Sequence, residues 1–374
     1  MTDTVRVDEM QVAAYTIPTA SPEADGTYEW KETTLVTVHV KAGDVTGFGY
    51  TYASTAVAIL IEHALAKHVL GADCMSPRGV YDAMVREVRN LGRAGMASMA
   101  ISAVDVAVHD LKARVLGIPL VGLLGAVRPA VAAYGSGGFT SYSDQQLTEQ
   151  LGGWAAQGLA AVKMKIGTHP ELDLARVRAA RQAIGNGTEL YVDANGAYDR
   201  KQALRFAEVF VDSGVTWFEE PVSSDDLEGL RMLAARCPAG MDIAAGEYGY
   251  EPIYFRRMLE ADAVDVIQID ATRCGGVTGF SLAAAAAEVF HRPISAHTAP
   301  SLHGHLCCTQ PRARNVEYFF DHVRIEGMLM EGALTAVNGL LTPDLSAPGL
   351  GLIFKKPDAE RYQVYSRHLS AGAI

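Results

Sequence analysis

From about residue 130 the chain repeats one pattern: a short apolar run, one or two polar residues, then a helical stretch that often ends in glycine. The runs read VAAYGS, AVKMKI, ELYVDAN, VTWFEEP, DIAAGE, VDVIQID, PISAH and VEYFF. Short runs of this composition suit strands buried on both faces, and parallel strands need crossover connections of helix length. Eight such units within about 190 residues predict a closed (β/α)8 barrel, an α/β fold, rather than an open sheet.

The chain before the barrel has a different texture. TVRVDEMQVAAYTI, TTLVTVHVKAG and DVTGFGYTYAS are strand-like, with Gly43-Asp44 marking a turn between the last two. PTASPEADGTYEW, between the first two, reads as a polar loop ending in aromatics. A helix is predicted over 97–116, where Ile101, Val104, Val108, Leu111 and Val115 recur at steps of three and four before Gly117 and Pro119 stop it. The expected division is an α+β domain over 1–128, the barrel over 129–340, and a segment over 341–374 with little periodicity that packs back on the first domain.

AVKMKIG, residues 161–167, is an apolar strand that holds two lysines. Strand side chains alternate faces, so Lys163 and Lys165 point one way while Val162, Met164 and Ile166 point the other. Like charges at that spacing disfavour each other's protonation, which is costly in a scaffold and useful in a base. Asp193, Glu219, Glu220, Glu247, Asp270 and His297 also fall at the ends of predicted strands, and Glu317 lies in the eighth. Barrel enzymes carry their chemistry on that C-terminal rim. Taken singly, each carboxylate is an ordinary helix cap or ion-pair partner. Together, Asp193, Glu219 and Glu247 come from three successive strands and converge as hard oxygen ligands, a set that favours Mg²⁺. Asp270 and His297 end adjacent strands, so the carboxylate can hold one imidazole nitrogen and raise the basicity of the other.

A net charge of −11 and no evident basic patch argue against nucleic acid or an anionic membrane as partner. Five cysteines without metal-type spacing point to reduced thiols in a cytoplasmic compartment, with Cys307 and Cys308 read as helix or core residues. The start MTDTVRVDEMQ has no apolar segment of the kind that leads or anchors, and no run approaches the roughly 20 apolar residues of a membrane span.

The ordered set KMK, DAN, WFEEP, GE, QID, SAH and Glu317, behind a domain containing SAVDVAVHDLKARVLGIPLVGLLG, resembles the enolase superfamily in its mandelate racemase subgroup. The resemblance spans essentially the whole chain and implies a barrel under an N-terminal α+β capping domain. It implies that Asp193, Glu219 and Glu247 bind Mg²⁺, with Mn²⁺ as the alternative, and that the ion binds a small-molecule carboxylate substrate. Such sites use a Lys or His base to remove the proton α to the carboxylate. Lys165 is then the expected base on one face, the His297–Asp270 pair acts on the other, and Lys163 contacts the carboxylate or enediolate and depresses its neighbour's pKa. Glu317, protonated, would donate a hydrogen bond to the substrate carboxylate, and Asn195 would reach metal-bound groups.

The resemblance favours dehydration of a sugar acid to a 2-keto-3-deoxy acid. Racemisation or epimerisation and lactone cycloisomerisation are the alternatives, and a barrel that binds metal and acid without turnover is the alternative of another class. Some dehydratase relatives carry a histidine where this chain has Asn195, which leaves His297 as the acid for the departing hydroxyl. The resemblance also implies a homo-oligomer and a lid from the capping domain. SPEADGTYEW is the candidate lid, with Tyr28 and Trp30 touching substrate, set against an ordinary mobile loop. His303 and His305 are weaker candidates for substrate contact. RCGGVTG, residues 273–279, reads as a tight turn with a phosphate cradle as the lesser alternative, and His39, His63, His68, His109 and His291 read as packed or surface residues.

Overall fold

The computed structural model describes residues 4–372. Three antiparallel strands, β1 (Glu9–Ala24), β2 (Glu29–Ala42) and β3 (Val45–Tyr52), form a sheet that the C-terminal strand Gln363–Ser370 completes by pairing antiparallel with β1. The end of the chain therefore returns to the N-terminal sheet. Helix Met96–Val115 lies on that sheet and buries Ile101, Val104, Val108 and Leu111. Full burial of each such side chain is worth about 1.5–3 kcal/mol.

The segment expected as a loop over 18–30 is mostly strand. β1 runs on through Pro18 and Pro22 to Ala24, and after an irregularity it pairs Glu23 with Trp30 and Ala24 with Glu29 of β2. A two-stranded ribbon with no sheet neighbour tolerates proline, because the missing N–H faces no partner. The segment is a hairpin arm, and only its tip, residues 25–28, turns.

The barrel strands are β4 (Val131–Gly137), β5 (Ala161–Lys165), β6 (Glu189–Asp193), β7 (Val215–Glu219), β8 (Asp242–Ala245), β9 (Val266–Ile269), β10 (Ile294–Ala296) and β11 (Ala313–Phe319). They pair in sequence order, and β11 closes the barrel on β4 with Glu317 opposite Tyr134. Val162, Met164 and Ile166 pack in the layer between strands and helices, which leaves Lys163 and Lys165 to the barrel interior. The interior core beneath them includes Tyr134, Tyr191 and Trp217, the last two with stacked rings 4.9 Å apart. That floor also holds the buried polar side chains of Gln268, Ser295 and Asn315, the last two hydrogen-bonded at 2.7 Å.

The glycine turn over 273–279 joins the two domains. Asp105 of the helix on the sheet accepts hydrogen bonds from Thr278 N (2.9 Å) and Thr278 Oγ1 (2.7 Å), while Gly275 N donates to Ser102 Oγ (2.8 Å). Amides already paired this way do not form a phosphate cradle, so the turn is structural.

Candidate active site

At the rim, β5 to β8 and the turn after β8 bring two ammonium groups against three carboxylates. One oxygen from each of Asp193, Glu219 and Glu247 lies within 4.8 Å of the others, and all three residues are buried. Local bonds aim them. Asn195 N donates to Asp193 Oδ1 (2.9 Å), and Trp217 Nε1, two residues earlier on the same strand face, donates to Glu219 Oε2 (2.9 Å). Glu247 follows Gly246, whose φ of +140° and close approach to the Gln268 carbonyl leave no room for a side chain. Glu247 Oε2 is buried with no hydrogen-bond partner. An orphaned oxygen among convergent carboxylates suits a hard divalent ion such as Mg²⁺.

Lys163 pairs with Glu219, with Glu317 Oε1 at 2.8 Å and with Asp193 Oδ2 at 3.4 Å. Lys165 Nζ reaches Asp193 Oδ2 at 2.5 Å. Burial pulls the Lys165 pKa down, but the carboxylates, Asp193 first, outweigh both burial and Lys163 and hold it above the ordinary lysine value. The expectation that Lys163 keeps its neighbour partly deprotonated is therefore corrected: Lys163 does lower the Lys165 pKa, but the carboxylates outweigh it, and the lysines serve as their counter-ions. Glu317 is corrected in the same sense. Burial raises its pKa, but Lys163 and His297 bring it well below the ordinary value. It accepts from Ser136 Oγ (2.6 Å) and Thr298 N (3.1 Å), as an ionised carboxylate does.

His297 Nδ1 donates to Asp270 Oδ2 at 2.8 Å, and Asp270 Oδ1 accepts from Thr272 N and Oγ1, both at 2.7 Å. Burial pushes Asp270 up, but the imidazole bond overcomes it and keeps the carboxyl below its ordinary range. His297 Nε2 is left toward the cavity, 3.5 Å from Glu247 Oε2 and 3.7 Å from Glu317 Oε2. Lys165 on β5 and His297 after β10 thus flank the carboxylates of β6, β7 and the β8 turn from two sides.

Lys165, Asn195, Glu247, His297 and Glu317 open on a cavity of about 290 Å³. The hairpin arm supplies Asp25, Thr27, Tyr28, Trp30 and Thr33 to its wall. Tyr28 is 69% exposed at the mouth and stacks with Trp30 at 6.2 Å. The tip is docked: Thr140 Oγ1 and Thr168 Oγ1 donate to the Asp25 carbonyl at 2.9 and 2.6 Å, and Thr27 Oγ1 donates to the Asn195 carbonyl at 3.4 Å. His303 is not in the wall. Its Nδ1 donates to the Thr298 carbonyl (2.7 Å) and its Nε2 accepts from Ala271 N (2.9 Å), so it braces the two loops that carry Asp270 and His297. His305 is buried in helix Pro300–Cys307, away from the wall.

Sequence reasoning missed Arg273 and His322. Arg273 Nη1 lies 3.4 Å from Glu247 Oε1 and its Nε 3.5 Å from Asp270 Oδ2, so one guanidinium ties the carboxylate triad to the histidine pair. Its position three residues after a strand-end aspartate was a signal, hidden by the glycines that follow. His322 enters from helix Phe320–Leu329 and lies flat on Tyr52 of β3, ring centroids 3.4 Å apart. No local pattern announces a contact made between domains.

Residues 9–125 match the mandelate racemase/muconate lactonizing enzyme N-terminal domain, and residues 146–359 match the enolase C-terminal domain-like family. L-talarate/galactarate dehydratase from Salmonella typhimurium is 31% identical over 84% of this chain and 81% of its own length. Its structure with Mg and L-lyxarohydroxamate superposes with a TM-score of 0.90 at 27% identity, covering 98% of this chain and 94% of that one. The 3,6-anhydro-α-L-galactonate cycloisomerase from Streptomyces coelicolor is 31% identical over 83% of this chain and 88% of that protein. Arabinonate dehydratase from Saccharolobus solfataricus is 29% identical over 89% and 91%. A mandelate racemase/muconate lactonizing enzyme-like protein from Rubrobacter xylanophilus superposes with a TM-score of 0.94 at 48% identity, covering 96% of this chain and 100% of that one.

Proposed function

Because the chain belongs to the mandelate racemase/muconate lactonizing enzyme family of the enolase superfamily, we propose that it is a Mg²⁺-dependent dehydratase that converts a sugar acid into a 2-keto-3-deoxy acid. The observation that carries this is the placement of the three converging carboxylates between Lys165 and the His297–Asp270 pair. Asp193, Glu219 and Glu247 hold the ion, whose positive charge, when bound, stabilises the enediolate as it develops.

Lys165 takes the α-proton once its bond to Asp193 is relieved. Asp270 fixes the His297 tautomer with the proton on Nδ1, so Nε2 is the atom that carries a proton to or from the cavity. As the β C–O bond breaks, the hydroxyl leaves as water with the proton from Nε2. The enol that remains tautomerises to the 2-keto acid. Lys163, held by Glu317 at the base of the site, positions the carboxylate end of the substrate. Asn195, whose Oδ1 has no partner, is free to accept from a substrate hydroxyl. The docked hairpin arm excludes water from the reaction.

Cycloisomerisation is the second reading, favoured by the Streptomyces relative; it shares the first proton transfer and differs in what leaves the β-carbon. A screen of mono- and diacid sugars and their lactones with Mg²⁺ in D₂O separates the outcomes. A 2-keto acid supports dehydration, and a ring-opened or ring-closed isomer supports cycloisomerisation. Exchange of the α-proton with an epimer and no keto acid would show a racemase. Full activity in EDTA-treated, metal-free protein would sink the mechanism.

A further inference from the structure

The wall that the hairpin arm contributes, Asp25, Thr27, Tyr28, Trp30 and Thr33, holds one acid and no cation. Trp30 Nε1 donates to Glu23 Oε2 at 3.0 Å, and Thr33 Oγ1 donates to Asp321 Oδ2 at 2.5 Å, so the two side chains facing the cavity are each backed by a buried acid. Glu23 Oε1 is buried without a partner. Burial, and then the Asp321 charge, push the Glu23 carboxyl up to about 8, so this region already resists a further negative charge. Asp25 lies at the same wall with its Oδ1 capping Thr27 N (2.6 Å) and Tyr28 N (2.8 Å) of its own turn.

The cavity's cations lie against the carboxylates of the site and not on the arm. Lys165 is bonded to Asp193, and Arg273 to Glu247 and Asp270. Burial, with His297 nearby, holds His322 well below its ordinary pKa and therefore neutral. Arg324, behind the wall, is bonded to Asp321 Oδ1 at 2.6 Å and to the Pro18 carbonyl at 2.8 Å. Among the described residues, the arm side of the cavity contributes no cation. What faces the far end of a bound acid is hydroxyl and aromatic: Tyr28, Trp30, Thr33 and Phe319.

We propose that this site takes sugar acids with a single carboxylate, aldonic rather than aldaric, because the end of the molecule that lies against the hairpin arm must be uncharged. A second carboxylate there loses water, finds no cation on the arm and shares the wall with Asp25, whereas a terminal hydroxyl or methyl group meets matching surfaces. This rests on the dehydratase reading and deepens it to a substrate class. It also sets the chain apart from its Salmonella relative, whose name is that of a diacid dehydratase.

The test uses the Mg²⁺-loaded protein and acids paired by configuration, gluconate with glucarate and galactonate with galactarate, following 2-keto acid formation and α-proton exchange in D₂O. The better monoacid should exceed its diacid partner at least tenfold in kcat/KM. Tyr28→Arg, at a 69% exposed position where the fold is not at risk, should narrow that ratio several-fold. Keto acid formed from a diacid as readily as from its monoacid partner overturns this inference and leaves the dehydratase reading standing. A ratio unmoved by Tyr28→Arg overturns the charge argument. Absence of both exchange and product from every pair, with no thermal stabilisation of the Mg²⁺-loaded protein by either acid, overturns both readings together.

Discussion

Gly26, at the tip of the hairpin arm, gives a sharp test of whether docking of that arm matters to turnover. A Cβ built there would overlap the Ala194 carbonyl oxygen and lie 2.6 Å from that of Ile166, both of them backbone atoms of the barrel rim that cannot swing aside. Overpacking of this kind costs about 1–3 kcal/mol. In the docked arm that strain is unavoidable, whereas with the tip lifted the methyl group sits in water. Hydrogen bonds from Thr140, Thr168 and Thr27 to the tip's backbone or to the rim oppose lifting, each worth about 0.5–1.5 kcal/mol net. The two are of similar size, so Gly26→Ala should lower the docked-to-lifted ratio about 5- to 150-fold, the range that 1–3 kcal/mol spans, and leave about half of the molecules docked where strain and bonds balance. We expect kcat/KM to fall at least about twofold while the melting temperature shifts by only a few degrees, because the tip carries no core residue. Gly153→Ala is the control: on helix Asp144–Ala156 nothing lies within 4 Å of the point its new methyl group would occupy, and activity should be unchanged. Wild-type kcat/KM in Gly26→Ala, with the control also normal, would refute the reasoning.

Lys165→Ala and His297→Asn should each reduce turnover at least about a thousandfold with circular dichroism unchanged, since each removes one of two proton carriers. His297→Asn should retain exchange of the α-proton on the Lys165 face in D₂O, and loss of that exchange would show that the two residues are not independent. Mg²⁺ at a hundred times its dissociation constant should stabilise the chain by about 2.7 kcal/mol, read as a rise in melting temperature that EDTA reverses and Glu247→Gln abolishes. Glu326, buried between the domains, accepts from Tyr50 Oη (2.8 Å) and Ser301 N (3.0 Å), and burial lifts its carboxyl to about 7. A raised folded pKa stabilises fully below the unfolded value of 4.5 and is lost as pH rises through 7. Relative to Glu326→Gln, the wild type should therefore lose roughly 2.5 kcal/mol of stability between pH 5 and pH 8, measured by urea unfolding.

The barrel could be read from the sequence because parallel strands buried on both faces leave nearly continuous apolar runs, broken within the strands by few polar residues such as Gln268, Ser295 and Asn315. The charged residues at the strand ends marked the rim before any geometry was known. The hairpin arm was harder. Pro18 and Pro22 read as loop punctuation, yet they lie in a ribbon whose pairing is set by β2 rather than by local preference. Arg273 and His322 reach the cavity through contacts between elements far apart in the chain, and periodicity carries no record of such contacts. Charge state was the least legible feature, since it depends on partners that several strands supply at once.

The two corrected charge states have a single cause. Lys163, Lys165, Asp193, Glu219, Glu247 and Glu317 form one buried group, four carboxylates against two ammonium groups. Fully ionised, it carries an excess of two negative charges, the charge of one divalent ion. Each lysine is the counter-charge of neighbouring carboxylates: Lys165 lies on Asp193, and Lys163 with His297 holds Glu317 below its ordinary pKa. Lys165 can act as a base only when something else neutralises Asp193. The adjacency of Lys163 and Lys165 along the strand is therefore insufficient to lower a lysine pKa. The carboxylates decide the sign of the shift, and the like-charged neighbour adds to whatever balance they leave.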